Sequence, residues 1–145
     1  MADPYESKLV TQNFYHSTSD INGRIVAVLD GLIEHRGLQL IKPPSRAFPA
    51  GTIIELIGTD EAEAGPGQNV DAIAYLAFVE LISGGVLLNG DAVYCQSTLI
   101  GTIAGYDDTH MPNHQNTIVK MKERKSGAQL GFALRDDIII KGFNK

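Results

Sequence analysis

The sequence predicts a mainly-β fold, a small antiparallel β-barrel or barrel-like sandwich with room for one short helix. Three observations predict it. Branched apolar residues come in short runs, from Arg24–Leu32 to Ile138–Ile140. Gly, Pro, Asn and Asp punctuate those runs at short intervals, as turns between strands require. There is no regular alternation with amphipathic helical segments, which disfavours a parallel sheet of β-α-β units. At 145 residues the chain suits a single core, hence one domain over 1–145 with flexible ends at about 1–6 and 142–145.

Along the chain, Ser7 to His16 reads as an irregular first strand, and Thr18 to Gly23 as a turn cluster. Arg24 to Leu32 is a strand interrupted at Asp30-Gly31, a pair that favours a tight turn or bulge because Gly tolerates positive φ. Leu38 and Leu40 mark a short strand, ended by Pro43-Pro44, neither of which can donate to a ladder. Gly51 to Ile57 is the cleanest strand, and the acidic, Gly-containing stretch Asp60 to Asn69 is a surface loop.

Val70 to Ile82 admits two readings. As a helix it has Asp71 as N-cap and Gly84-Gly85 as its stop. As a strand it is apolar on both faces, which suits burial from two sides. The residues downstream favour the strand: Val86 to Leu88, the turn Asn89-Gly90-Asp91, then Ala92 to Tyr94 continue a strand–turn pattern. Thr98 to Ala104 and Asn116 to Glu123 are further strands. Lys125-Ser126-Gly127 reads as a hairpin turn into a strand over Gln129 to Leu134, Ile138 to Ile140 as the last strand, and Lys141 to Lys145 as a frayed end.

The run Ser83-Gly84-Gly85-Val86-Leu87-Leu88-Asn89-Gly90-Asp91-Ala92-Val93 resembles a hairpin of the small β-barrel modules of translation factors. The resemblance covers about a tenth of the chain and implies a barrel. The chain has no GxxxxGK[ST] phosphate loop, so nothing of GTP or ribosome chemistry comes with it.

Composition narrows the function classes. Hydrophobic residues make up 43% and charged residues 20%, which excludes disordered and fibrous chains. Residues 1–119 carry five Lys or Arg against fourteen Asp or Glu, and residues 120–145 carry seven against three. Lys120, Lys122, Arg124 and Lys125 read as part of a charged surface hairpin on an otherwise acidic protein, or more sharply as an anion-binding face, too short a stripe for nucleic acid, which the acidic body repels. Cys95 is the only cysteine, so there is neither an internal disulfide nor a CxxC pair. No leader-like or membrane-spanning apolar run is present, so a soluble cytoplasmic protein is the expectation.

Chemistry concentrates in Gly105 to Asn116, which reads as a loop holding His110, His114, Asp107 and Asp108. Loops on a rigid scaffold are common sites of binding groups. An acid–base reading takes His110 or His114 as the proton-transfer group with Asp108 orienting it. A metal reading takes His110, His114 and Asp107 as ligands of Zn²⁺, Mn²⁺ or Fe²⁺. A ligand-binding reading takes Arg36, Tyr106, Asn113 and His114. Arg36 enters through the charged turn Glu34-His35-Arg36-Gly37, with Arg46 a candidate neighbour. The leading expectation is a domain that binds a small polar molecule or a protein through this loop. A small hydrolase, isomerase or lyase using the same residues is the alternative, and a structural homo-oligomer joined at strand edges is a third. The cofactor, if there is one, is not readable.

Overall fold

The computed structural model describes residues 15–143. These form twelve strands: β1 (Ile21–Val28), β2 (Leu32–Ile33), β3 (Leu38–Gln39), β4 (Ser45–Phe48), β5 (Ile53–Thr59), β6 (Asn69–Val70), β7 (Ile73–Leu81), β8 (Gly85–Leu88), β9 (Ala92–Cys95), β10 (Thr98–Asp107), β11 (Gln115–Lys120) and β12 (Asp137–Ile140). No helix occurs among the described residues, so none is long and apolar enough to cross a membrane. The run β1-β12-β9-β10-β11-β5-β7 returns to β1 through the β7–β1 pairing, closing a seven-stranded barrel. Every pairing is antiparallel except β11 with β5, which is parallel.

The ambiguous segment is β7, buried from two sides as its double apolar face requires. Leu76, Val79 and Leu81 fill the barrel with Ile25, Ile54, Leu56, Ile103 and Val119. Ile73 faces outward into a second cluster with Leu38, Leu40, Ile57, Val70, Ala104 and Ile118. The β3–β6 pair covers that outer patch. A helix would present one apolar stripe and could not serve both clusters.

Each end of the barrel is closed. At one end β4 pairs with β8, and Phe48 and Leu87 belong to the core. Sequence reasoning misses β4, because it opens directly after Pro43-Pro44. At the other end residues 126–136 cross the mouth, and Leu130 and Phe132 pack on the core. The strand expected over Gln129 to Leu134 does not form. Ser126 and Gln129 bond reciprocally, Ser126 N to Gln129 Oε1 at 2.8 Å and Gln129 N to Ser126 Oγ at 3.1 Å. Phe132 N then donates to Gly127 O, which curls the segment into turns.

Other boundaries move as well. The expected turn at 18–23 gives way to β1 at Ile21, whose pairing with Ile140 secures it. Gly142 N donates to Asp20 Oδ1 at 2.7 Å and Phe143 N to Thr18 Oγ1 at 2.7 Å, so the chain is tied down through Phe143. The acidic stretch after β5 is pinned by Glu61, whose Oε2 accepts from Asp71 N and Ala72 N. The proposed first strand over 7–16 lies outside the described residues except for Tyr15 and His16.

Candidate functional site

Strand β10 runs three residues further than the sequence suggests, so the connection to β11 is only 108–114. Gly105, at φ +158, accompanies a register shift between Ile103 and Gly105. Beyond it Tyr106 turns into the core, fully buried, with its hydroxyl donating to Leu87 O at 3.2 Å. Burial pushes the Tyr106 phenol well above its ordinary range. Tyr106 therefore holds the β8 end of the barrel shut and does not reach the loop surface.

Asp107 is spent on the fold too. Its Oδ2 accepts from Gln39 N at 2.9 Å, and its Oδ1 from Thr109 N at 2.8 Å and Asn116 Nδ2 at 3.1 Å. Burial pushes its carboxyl up, but these donors outweigh burial and hold it below the usual carboxylate range. Asp108 is half exposed; it accepts from Gln115 Nε2 at 2.8 Å and lies 3.9 Å from Arg46 Nη2. Among the described residues no three of His, Cys, Asp and Glu converge as a metal ion would need.

The two histidines do come together. Met111 N donates to Asp108 O, and both Asn113 N and His114 N donate to His110 O, so the loop closes as successive turns. The Met111–Pro112 peptide within it is cis. The rings of His110 and His114 lie with centroids 5.0 Å apart. An i,i+4 closure thus forms without a helix, which HxxxH spacing alone does not reveal.

Each ring has its own partners. Arg36 Nη2 lies 3.2 Å from His110 Nε2, and Arg36 Nε donates to Tyr75 Oη at 3.2 Å. A guanidinium has only donors, so His110 Nε2 is the acceptor and its ring proton sits on Nδ1. Arg36 is held from behind: Arg36 N donates to Asp71 O at 3.0 Å and Gly37 N to Asp71 Oδ1 at 3.1 Å. Among the described residues no carboxylate forms an ion pair with Arg36.

His114 Nε2 lies 3.0 Å from Glu55 Oε1, and its Nδ1 lies 2.6 Å from Asn113 Oδ1. The doubly protonated ring satisfies both oxygens at once; turning the Asn113 amide round satisfies the neutral ring. Phe78 meets the ring edge-on at 4.9 Å. The β-ladders place these groups, since Glu55 is opposite Phe78 in β7 and opposite Asn116 in β11. Glu55 is only 6% exposed. Sequence reasoning misses it, although one carboxylate in the apolar run Ile53-Ile54-Glu55-Leu56-Ile57 is the available signal.

His114 also lines a cleft of about 360 Å³ between the 111–115 segment and residues 46–53. Phe48, Ile53 and Met111 make its apolar walls, and Arg46, Asn113 and Gln115 its polar groups. Gln115 is buried, with Nε2 donating to Asp107 O and Asp108 Oδ1, while its Oε1 meets no donor among the described residues. The structure therefore links Arg36, His110, His114 and Asn113 through successive contacts, adds Tyr75 and Glu55 to that chain and Arg46 on the cleft that His114 lines, and leaves Tyr106 and Asp107 in the framework.

No curated protein and no solved structure matches the chain. One family model matches residues 15–141, which spans every strand of the barrel and the whole of this site. The chain belongs to that family, described as a family of unknown function, DUF6917.

Proposed function

We propose that the protein is a binding domain for a small organic anion, a carboxylate or phosphate carried on an apolar body. The observation that carries this reading is Arg36, a half-buried cation held by Tyr75 and His110 with, among the described residues, no carboxylate on it, and joined through the His110 ring to His114, its ring centroid 5.0 Å away, on the wall of an open cleft. A buried or half-buried charge wants a partner, and a guanidinium matches carboxylate and phosphate geometry. Arg46 offers a second cation, engaged by Asp108 only at 3.9 Å. The apolar walls suit a short hydrocarbon or aromatic body, and the cleft volume falls in the range of small-molecule sites.

The test is calorimetric titration with phenyl phosphate, benzoate and inorganic phosphate. The two ligands with a ring are expected to bind more tightly than inorganic phosphate. Arg36→Ala and Arg46→Ala are each expected to weaken binding about tenfold, the worth of one charge-assisted hydrogen bond. No heat and no melting shift with any of the three would end the reading.

A second reading has its own support. A buried carboxylate on Nε2 of His114 orients the ring as a general base needs, with Nδ1 open to substrate once Asn113, 2.6 Å away, turns aside. Glu55, rather than Asp108, is then the orienting group. In a hydrolysis screen with aryl esters, Glu55→Gln would lower kcat and leave ligand affinity within about twofold. Equal turnover by wild type and His114→Ala would remove it.

A further inference from the structure

At the far end of the barrel from this loop, β10 overhangs its neighbour. Its ladder with β9 begins at Thr98, whereas its ladder with β11 stops at Thr102 opposite Lys120. Among the described residues, 98–101 therefore have a ladder partner on one side only, with a bulge between Leu99 and Gly101 and the Lys120 carbonyl packed against Gly101. β11 ends there at Lys120, with Met121 N still donating to Thr59 O at 2.7 Å and its side chain in the core. Between the diverging segments lies a groove of about 480 Å³.

The floor of the groove is apolar. Leu99 is 57% exposed, and Ile100 and Leu130 continue the surface beneath it. Its rim is basic. Lys120 Nζ is engaged by Ala62 O at 2.6 Å. Arg124 is turned away onto Glu34 at 3.0 Å and Asp60 at 3.2 Å. Lys122 and Lys125 remain on the rim and, among the described residues, neither forms an ion pair. Glu123 is the carboxylate on the same rim.

We propose that this groove takes an extended acidic segment of a partner protein, added as a strand to the free side of residues 98–101. Main-chain hydrogen bonds along an exposed strand edge supply affinity, and alternate side chains supply specificity. One face of the incoming strand would lie on Leu99 and Ile100, and its carboxylates would meet Lys122 and Lys125. An anionic amphiphile would match the lysines and the apolar floor but would leave the strand edge unused. A second copy docked symmetrically would set two basic rims against each other. The opposite use of edge lysines, to deter pairing altogether, is the outcome that defeats the proposal.

The experiment is amide-resolved NMR titration of the full chain in about 50 mM salt, where a surface charge pair is weakly screened. The probes are a capped heptapeptide alternating glutamate and valine, its lysine–valine counterpart, and decanoate. The glutamate peptide is expected to shift amides at 98–102 and 122–125 and to slow amide exchange at Leu99–Gly101. The double variant K122E/K125E, which changes exposed side chains only, is expected to lose about tenfold in that affinity and to accept the lysine peptide instead. Absence of shifts at 98–101, an equal response to both peptides, binding of decanoate but not peptide, or concentration-dependent shifts without any probe would each overturn the proposal.

Discussion

Asp107 and Glu55 are both buried carboxylates beside the 108–114 loop, and the difference in their partners separates framework from site. Asp107 accepts from two backbone N–H groups and one side-chain amide, all from its own scaffold. Glu55 meets a histidine that faces a cleft. Replacing Asp107 by Asn leaves one oxygen for three donors and turns an NH₂ toward an N–H. Asp107→Asn is therefore expected to cost about 2–4 kcal/mol in urea unfolding at pH 7, the range for charged acceptors lost in a buried position. The pH dependence has a definite sign. A carboxyl whose folded pKa is depressed stabilises the protein fully above its unfolded value of 3.8, and that stability is lost as pH falls through the lower folded value. The gap between wild type and Asp107→Asn should accordingly narrow as pH falls below about 4. A gap of the same size at pH 3 would mean that shape, not charge, is what Asp107 supplies.

Among the elements, the strands were legible wherever periodicity and turn residues agreed, and illegible where side chains redirected the backbone. The double apolar face of β7 was readable because its burial from two sides is written in consecutive residues. The 129–134 segment was not, since the Ser126–Gln129 bonds and the packing of Leu130 and Phe132 on the barrel end depend on where the barrel mouth lies. The site behaves the same way. His110 and His114 were visible as a polar cluster, and Arg36 as a neighbouring charge, but Glu55 and Tyr75 arrive from β5 and β7 only through register. Asp107 was misplaced because β10 continues past Gly105, whose bulge keeps the strand going where a loop reading ends it. The closing turn itself offers a test. Gly127 sits where a Cβ would overlap the Leu76 carbonyl oxygen, and Gly127 N donates to Tyr75 O at 3.0 Å. Gly127→Ala should cost about 2 kcal/mol or more, because backbone on both sides prevents relief. An unchanged thermal midpoint would contradict the tight docking of residues 126–136 on β7.

Across the whole barrel, closure decides which surfaces remain for function. Seven strands pair around the ring, so within the ring unpaired backbone is left at overhangs such as 98–101. The β4–β8 end carries the loop cleft with Arg46 and His114; the 126–136 end carries the basic groove. Anion binding at the loop requires that Arg36, His110 and His114 act as one polar constellation, with Glu55 fixing the His114 ring. The ¹⁵N chemical shifts of the histidine ring nitrogens, read with and without phenyl phosphate, probe that constellation atom by atom. The expected result is His110 neutral with its proton on Nδ1, His114 protonated at Nε2 toward Glu55, and both rings shifting as phenyl phosphate is added. A His110 proton on Nε2, or ring shifts that stay fixed through the titration, would contradict it.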